Sequence, residues 1–162
     1  MTPPVVVFAV GNPSRGDDAI GPLLCARLDS WLLARGLADG VELIEDFQLN
    51  IEHAIDLQGR SLALFIDAAV NQEAAVVFRQ IGPSATIGHS SHALPPEAVL
   101  QVYLQTEGAA PPPSFVLAVR GEAFALGEPP GAAAEAAMDE AMQKLEALFA
   151  TPQLAAWQAL AG

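Results

Sequence analysis

The chain reads as an α/β protein of three layers, a sheet with helices on both faces. Apolar runs of strand length recur from the beginning to the end of its 162 residues. Stretches with helical spacing separate most of them, and the resulting order βαβαββαβα is that of a three-layer α/β/α domain. A chain of this length forms one domain with a sizeable core. Residues 1–162 are therefore read as a single domain, with 152–162 as a short C-terminal helical extension.

Residues 5–10, Val-Val-Val-Phe-Ala-Val, are apolar throughout, as in a strand buried on both faces. A first helix begins near Gly21, with Pro22 suited to its first turn and Leu24, Leu28, Trp31 and Leu32 on one face. Strands follow at 41–44 and 61–66, with a short second helix over 51–57 between them. A fourth strand covers 74–80, a third helix 97–104 and a fifth strand 114–119. The fifth strand follows a stiff loop at 108–113 that contains three consecutive prolines. Met138, Met142, Leu145 and Phe149 form a stripe at i, i+4, i+7 and i+11 on a long Ala-rich helix from about 132 to 150. Residues 152–162 read as an extra helix carrying Trp157. Whether it packs on the domain or serves an interface is left open by the sequence.

Composition narrows the functional classes. Hydrophobic residues make up 52% of the chain and charged residues 16%, as in a well-packed globular protein. The net charge of −12 argues against a nucleic-acid backbone as partner. No segment approaches the ~20 apolar residues of a membrane span. No basic region followed by an apolar core marks a signal peptide, so the expected location is the cytoplasm. The single cysteine, Cys25, falls in the apolar pattern of the first helix and reads as a small core residue.

The densest chemistry follows the first strand, in Val-Gly-Asn-Pro-Ser-Arg-Gly-Asp-Asp-Ala-Ile-Gly from Val10 to Gly21. A strand runs into a tight turn that delivers Asp17 and Asp18 to the start of a helix. Open α/β sheets build their sites at this carboxyl end of the strands. Pro13 replaces the second glycine of a dinucleotide fingerprint. Asp17-Asp18 replaces the Lys-Ser/Thr pair of a phosphate loop, and two carboxylates would repel a phosphate.

Asp67 closes the apolar run of the third strand. A carboxylate there is costly unless paired, solvated or bound to a cation. With a 2-1-3 strand order, Asp18 and Asp67 face each other across the switch point of the sheet. Two close carboxylates favour a shared proton or a metal. Gly88-His89-Ser90-Ser91-His92, between the fourth strand and the third helix, adds imidazoles. Two oxygens and one nitrogen with open positions suit Ni, Zn, Mn or Fe. Structural roles compete with this reading. Asp17 and Asp18 also suit a helix N-terminus, and Asp67 suits a turn cap. His89 reads as a solvated loop residue, and His53 as part of an exposed helix face or partner surface.

Three segments together resemble the signature segments of the nickel-iron hydrogenase maturation endopeptidases. They are Gly11–Gly21 (Gly-Asn-Pro-Ser-Arg-Gly-Asp-Asp-Ala-Ile-Gly), Phe65-Ile66-Asp67-Ala68 and Ser90-Ser91-His92-Ala93-Leu94. The resemblance covers nearly the whole chain. Residues 45–53 stand where many members carry Asp-Gly-Gly-Thr, and here the chain is similar to the branch serving cytoplasmic, bidirectional NAD-linked hydrogenases. The family implies a mixed five-stranded sheet with one antiparallel strand, a phosphorylase/hydrolase-like arrangement. It implies removal of a C-terminal peptide from the nickel-loaded hydrogenase large-subunit precursor. Its metal-contacting positions map to Asp18, Asp67 and His92, with nickel supplied by the precursor. Asp18 and Asp67 are the expected catalytic carboxylates. Gln48, Glu52 and His53 are expected to contact the substrate, because loops at this edge vary on a rigid scaffold. Two rival readings are a zinc-dependent peptidase or amidohydrolase on a related fold and a non-catalytic chaperone of the same precursor.

Overall fold

A computed structural model describes residues 2–85, 94–122 and 126–162. Its core is a five-stranded sheet built from β1 (Val5–Val10), β2 (Val41–Asp46), β3 (Leu62–Ala69), β4 (Val76–Ile81) and β5 (Ser114–Arg120), in the order β2-β1-β3-β5-β4. The pairs β1–β2, β1–β3 and β3–β5 are parallel, and β4 runs antiparallel to β5. Every residue of β1 is buried, as its unbroken apolar run requires. Among the described residues the α-helices are α1 (Ile20–Ala34), α2 (Pro96–Glu107), α3 (Ala132–Ala150) and α4 (Leu154–Leu160).

Strand alternation sends side chains to two cores. Val5, Val7, Leu62, Leu64, Ile66, Phe115 and Leu117 join the apolar faces of α1, α3 and α4 on one side. Val6, Phe8, Val10, Ala63, Phe65 and Val116 meet Val99 and Leu100 of α2 and the 51–57 segment on the other. The two predicted helical stripes face the first core: Leu24, Leu28, Leu32, Met138, Met142, Leu145 and Phe149 are all buried there. Trp157 of α4 is fully buried among Phe78, Phe115 and Phe149. Its indole Nε1–H donates to the Leu148 carbonyl at 2.8 Å, so the ring's one polar atom is satisfied. The extension at 152–162 thus packs on the domain.

The expected short second helix is present at Ile51–Leu57 and is a 3-10 helix. The third strand continues past Asp67 to Ala69, because Ala68 and Ala69 pair with Val119 and Arg120 of β5. Asp67 therefore lies within a strand and does not cap a turn.

Candidate active site

Backbone contact sets the first half of the site. After β1 the chain turns at Gly11, whose φ of +147° lies outside the range that side chains tolerate. A Cβ there would fall 2.0 Å from the Asp18 carbonyl oxygen, and one at Gly21 would fall 2.3 Å from that of Val10. The end of β1 and the 3-10 turn Gly16–Ala19 are thus packed backbone against backbone. The Asn12 N–H donates to Asp18 Oδ2 at 2.7 Å and orients that half-buried carboxylate. The role of Asn12 as an orienting donor was not foreseen, although its place in a Gly-Asn-Pro turn is the signal for it.

Asp67 supplies the second half, on the sheet face that carries α2. Burial is the main cause that pushes its carboxyl up to about 7. A hydrogen bond from the Ala68 backbone works against this, and the charge of Asp18 adds to it. The 3-10 turn that carries Asp18 packs against β3, so the charge of Asp18 reaches Asp67 across the boundary between β1 and β3. A carboxylate held near neutrality can take or give a proton or receive a cation.

The remaining expected residues separate. His92 and His89 lie outside the described residues, and the described chain resumes at Leu94, whose N–H donates to the Leu49 carbonyl at 3.2 Å. Among the described residues no group of three His, Cys, Asp or Glu side chains is placed to hold a metal. Asp18 and Asp67 would need further donors to do so. Gln48 and Glu52 are exposed beyond β2.

His53 is a correction, because its ring is buried rather than exposed. Its Nδ1 accepts the Asn50 N–H at 2.9 Å, its Nε2 lies 3.4 Å from Asp46 Oδ2, and its ring packs nearly perpendicular to that of Phe8. The Asn50 side chain in turn accepts the Glu52 N–H, so His53 serves as the far half of a capping box and presents no surface to a partner.

Asp17 departs from expectation in its partners. It is buried but does not cap the helix that follows it. Its carboxylate accepts the Glu122 N–H at 2.6 Å and the Gly131 N–H at 2.8 Å, linking the turn to the end of β5 and the start of α3. Two backbone bonds reinforce the junction, from Gly16 N–H to Glu128 and from Gly127 N–H to Ser14. Cys25 is buried, and desolvation together with the charges of Glu45 and Asp29 and a Glu45 hydrogen bond pushes its thiol up to about 12. It stays protonated and cannot act as a nucleophile. A cavity of about 650 Å³ between β4, α3 and α4 contains none of the candidate residues.

Similarity among solved structures is extensive. The hydrogenase maturating endopeptidase HybD from E. coli superposes with a TM-score of 0.70 at 22% identity, covering 91% of this chain and 93% of that one. The chain has the hydrogenase maturation protease fold. The nickel-iron hydrogenase maturation protease HycI from Thermococcus kodakarensis gives 0.67 at 21% identity over 92% and 94%. A hydrogenase 2 maturation peptidase from a Thaumarchaeota archaeon gives 0.60 at 19% identity over 93% and 99%. No protein-family model matches the chain, and no curated protein matches it in sequence. The mixed sheet with one antiparallel edge strand is the arrangement expected of this fold. Among the described residues no helix is long and apolar enough to cross a membrane.

Proposed function

We propose that the chain is a hydrogenase maturation endopeptidase that removes the C-terminal peptide of a nickel-loaded large-subunit precursor in the cytoplasm. The observation that carries this reading is the pair Asp18 and Asp67, on a maturation-protease fold, with Asp67 held near neutrality beside a second carboxylate. Nickel arrives as part of the substrate. Asp18 and Asp67 offer it hard oxygen donors, and His92 is the proposed third ligand. A protease that kept its own nickel could not tell loaded precursor from empty. Two carboxylates hold nickel less firmly than thiolates, so the free protein binds it weakly and the precursor completes the site.

Asp18 is the fixed donor, because the Asn12 N–H leaves it little freedom. Asp67, whose burial raises its affinity for a proton, releases that proton as it takes the incoming nickel. Gln48 and Glu52 are proposed to meet the precursor outside the site.

The deciding experiment incubates the protein with nickel-loaded and nickel-free precursor and weighs the products. Shortening of the loaded form alone supports the reading. A complex without shortening would identify a chaperone, and cutting of nickel-free precursor would remove nickel recognition. Stoichiometric nickel surviving dialysis of the isolated protein against a chelator would contradict the weak site.

A further inference from the structure

Beyond β2 the chain shows water an unusual amount of apolar surface. Phe47, Ile51 and Ile55 are 65%, 64% and 67% exposed within nine residues. Single exposed hydrophobic side chains are ordinary, but a group of this size on one short segment marks an interaction surface. The folding of the segment explains why these side chains cannot turn inward. The inward positions of the 3-10 helix are already taken by His53, Ala54 and Leu57, which are buried. His53 holds the Asn50 N–H, Asn50 holds the Glu52 N–H, and Asp46 Oδ1 holds the Phe47 N–H at 2.7 Å. The outward display of Phe47, Ile51 and Ile55 is thereby built into the backbone.

The charged side chains of the segment itself are acidic. Asp46, Glu52 and Asp56 lie in it, and no lysine or arginine falls between Arg35 and Arg60 in the sequence. Arg60 is itself paired with Glu42. The surface adjoins the candidate site, because the Gly11 N–H donates to the Asp46 carbonyl at 3.0 Å and Phe47 is the next residue. A peptide that reaches Asp18 from the β2 side of the sheet would therefore pass beside Phe47.

We infer that Phe47, Ile51 and Ile55 form the docking surface for the folded body of the precursor, and that the matching surface is apolar and rimmed by lysine or arginine. This rests on the endopeptidase reading for the identity of the partner. Apolar contact supplies affinity, and the acidic rim selects and steers a basic partner. The surface does not include Asp18 or Asp67, so its own contribution is read with nickel-free precursor.

The test measures the affinity of nickel-free precursor for the intact protein, alongside the cutting of loaded precursor by the same preparation. The double variant Ile51→Ser/Ile55→Ser should bind at least ~10-fold more weakly, as loss of two interface side chains implies. Both residues point outward, so thermal unfolding should stay at the wild-type temperature. Glu52→Lys should also weaken binding, and raising salt from about 50 to about 500 mM should weaken the wild-type complex, since rim charges are screened. Wild-type affinity in the double variant, or affinity indifferent to both Glu52→Lys and salt, would overturn the docking surface. Failure of wild-type protein to cut loaded precursor while these binding effects hold would overturn the endopeptidase reading and leave the surface standing.

Discussion

Asp17 and Asp67 stand at the same edge of the sheet, and their surroundings treat a carboxylate in opposite ways. Around Asp17, two backbone N–H groups point inward and hold the charge, one of them at the start of α3. Around Asp67, apolar neighbours and a nearby like charge make ionisation costly. The first region uses a negative charge as a tie between distant segments. The second keeps a proton loosely available. Burial alone therefore says little about what an acidic residue does, and the donors aimed at it decide.

The largest effect expected from this contrast is on processing. Asp67→Asn should slow cleavage of loaded precursor by about 100-fold while leaving the fold intact, as loss of a nickel ligand implies. Asp18→Ala should do the same. Normal turnover by either variant would erase the distinction between the two regions. Asp17→Ala should instead act on stability. It leaves two part-buried N–H groups without this acceptor, at a total cost of ~1–3 kcal/mol, which urea unfolding would register. Asp17→Asn should cost less, since one acceptor oxygen survives.

The pH dependence sharpens the contrast. An unfolded Asp67 titrates in the ordinary carboxylate range near ~4, whereas the folded one does so at about 7. Between these values the native state holds the extra proton, so stability falls as pH rises through that window and is level above it. Asp67→Asn should remove this slope, making the variant more stable than wild type by about 1–3 kcal/mol at pH 8 and equal to it at pH 4. A parallel pair of stability curves would show that Asp67 is not held near neutrality. The smallest effect belongs to Glu52→Gln, which should leave stability within ~0.5 kcal/mol and alter only which precursor is preferred.

Much of this architecture was visible in the sequence, and the exceptions have physical causes. Unbroken apolar runs such as Val5–Val10 can only be buried strands, and the stripe ending at Phe149 can only be one helix face. Asp67 was legible as a candidate because a charge at the end of such a run needs a reason, and Asp18 because a Gly-Asn-Pro turn delivers it to a helix start. The partners of Asp17 were not, since Glu122 and Gly131 lie 105 and 114 residues away and offer backbone groups that any residue carries. His53 looked exposed because it sits in a polar stretch, but Phe8 and the Asn50 N–H give its ring an interior place. Trp157 could not be assigned a place, because a short Ala-rich tail carries no stripe long enough to name its partner.

The sheet order has a consequence for how the molecule is made. β5 sits between β3 and β4, yet it is synthesised after both and after α2. Until it arrives, one edge of β3 has no neighbour and β4 has none on either side, and Leu64, Phe65 and Phe78 wait without their β5 packing partners. Unpaired edges of this kind invite association between nascent chains. Insertion of β5 closes both gaps at once, so assembly of the central sheet is a late, long-range event and a slow one compared with helix formation.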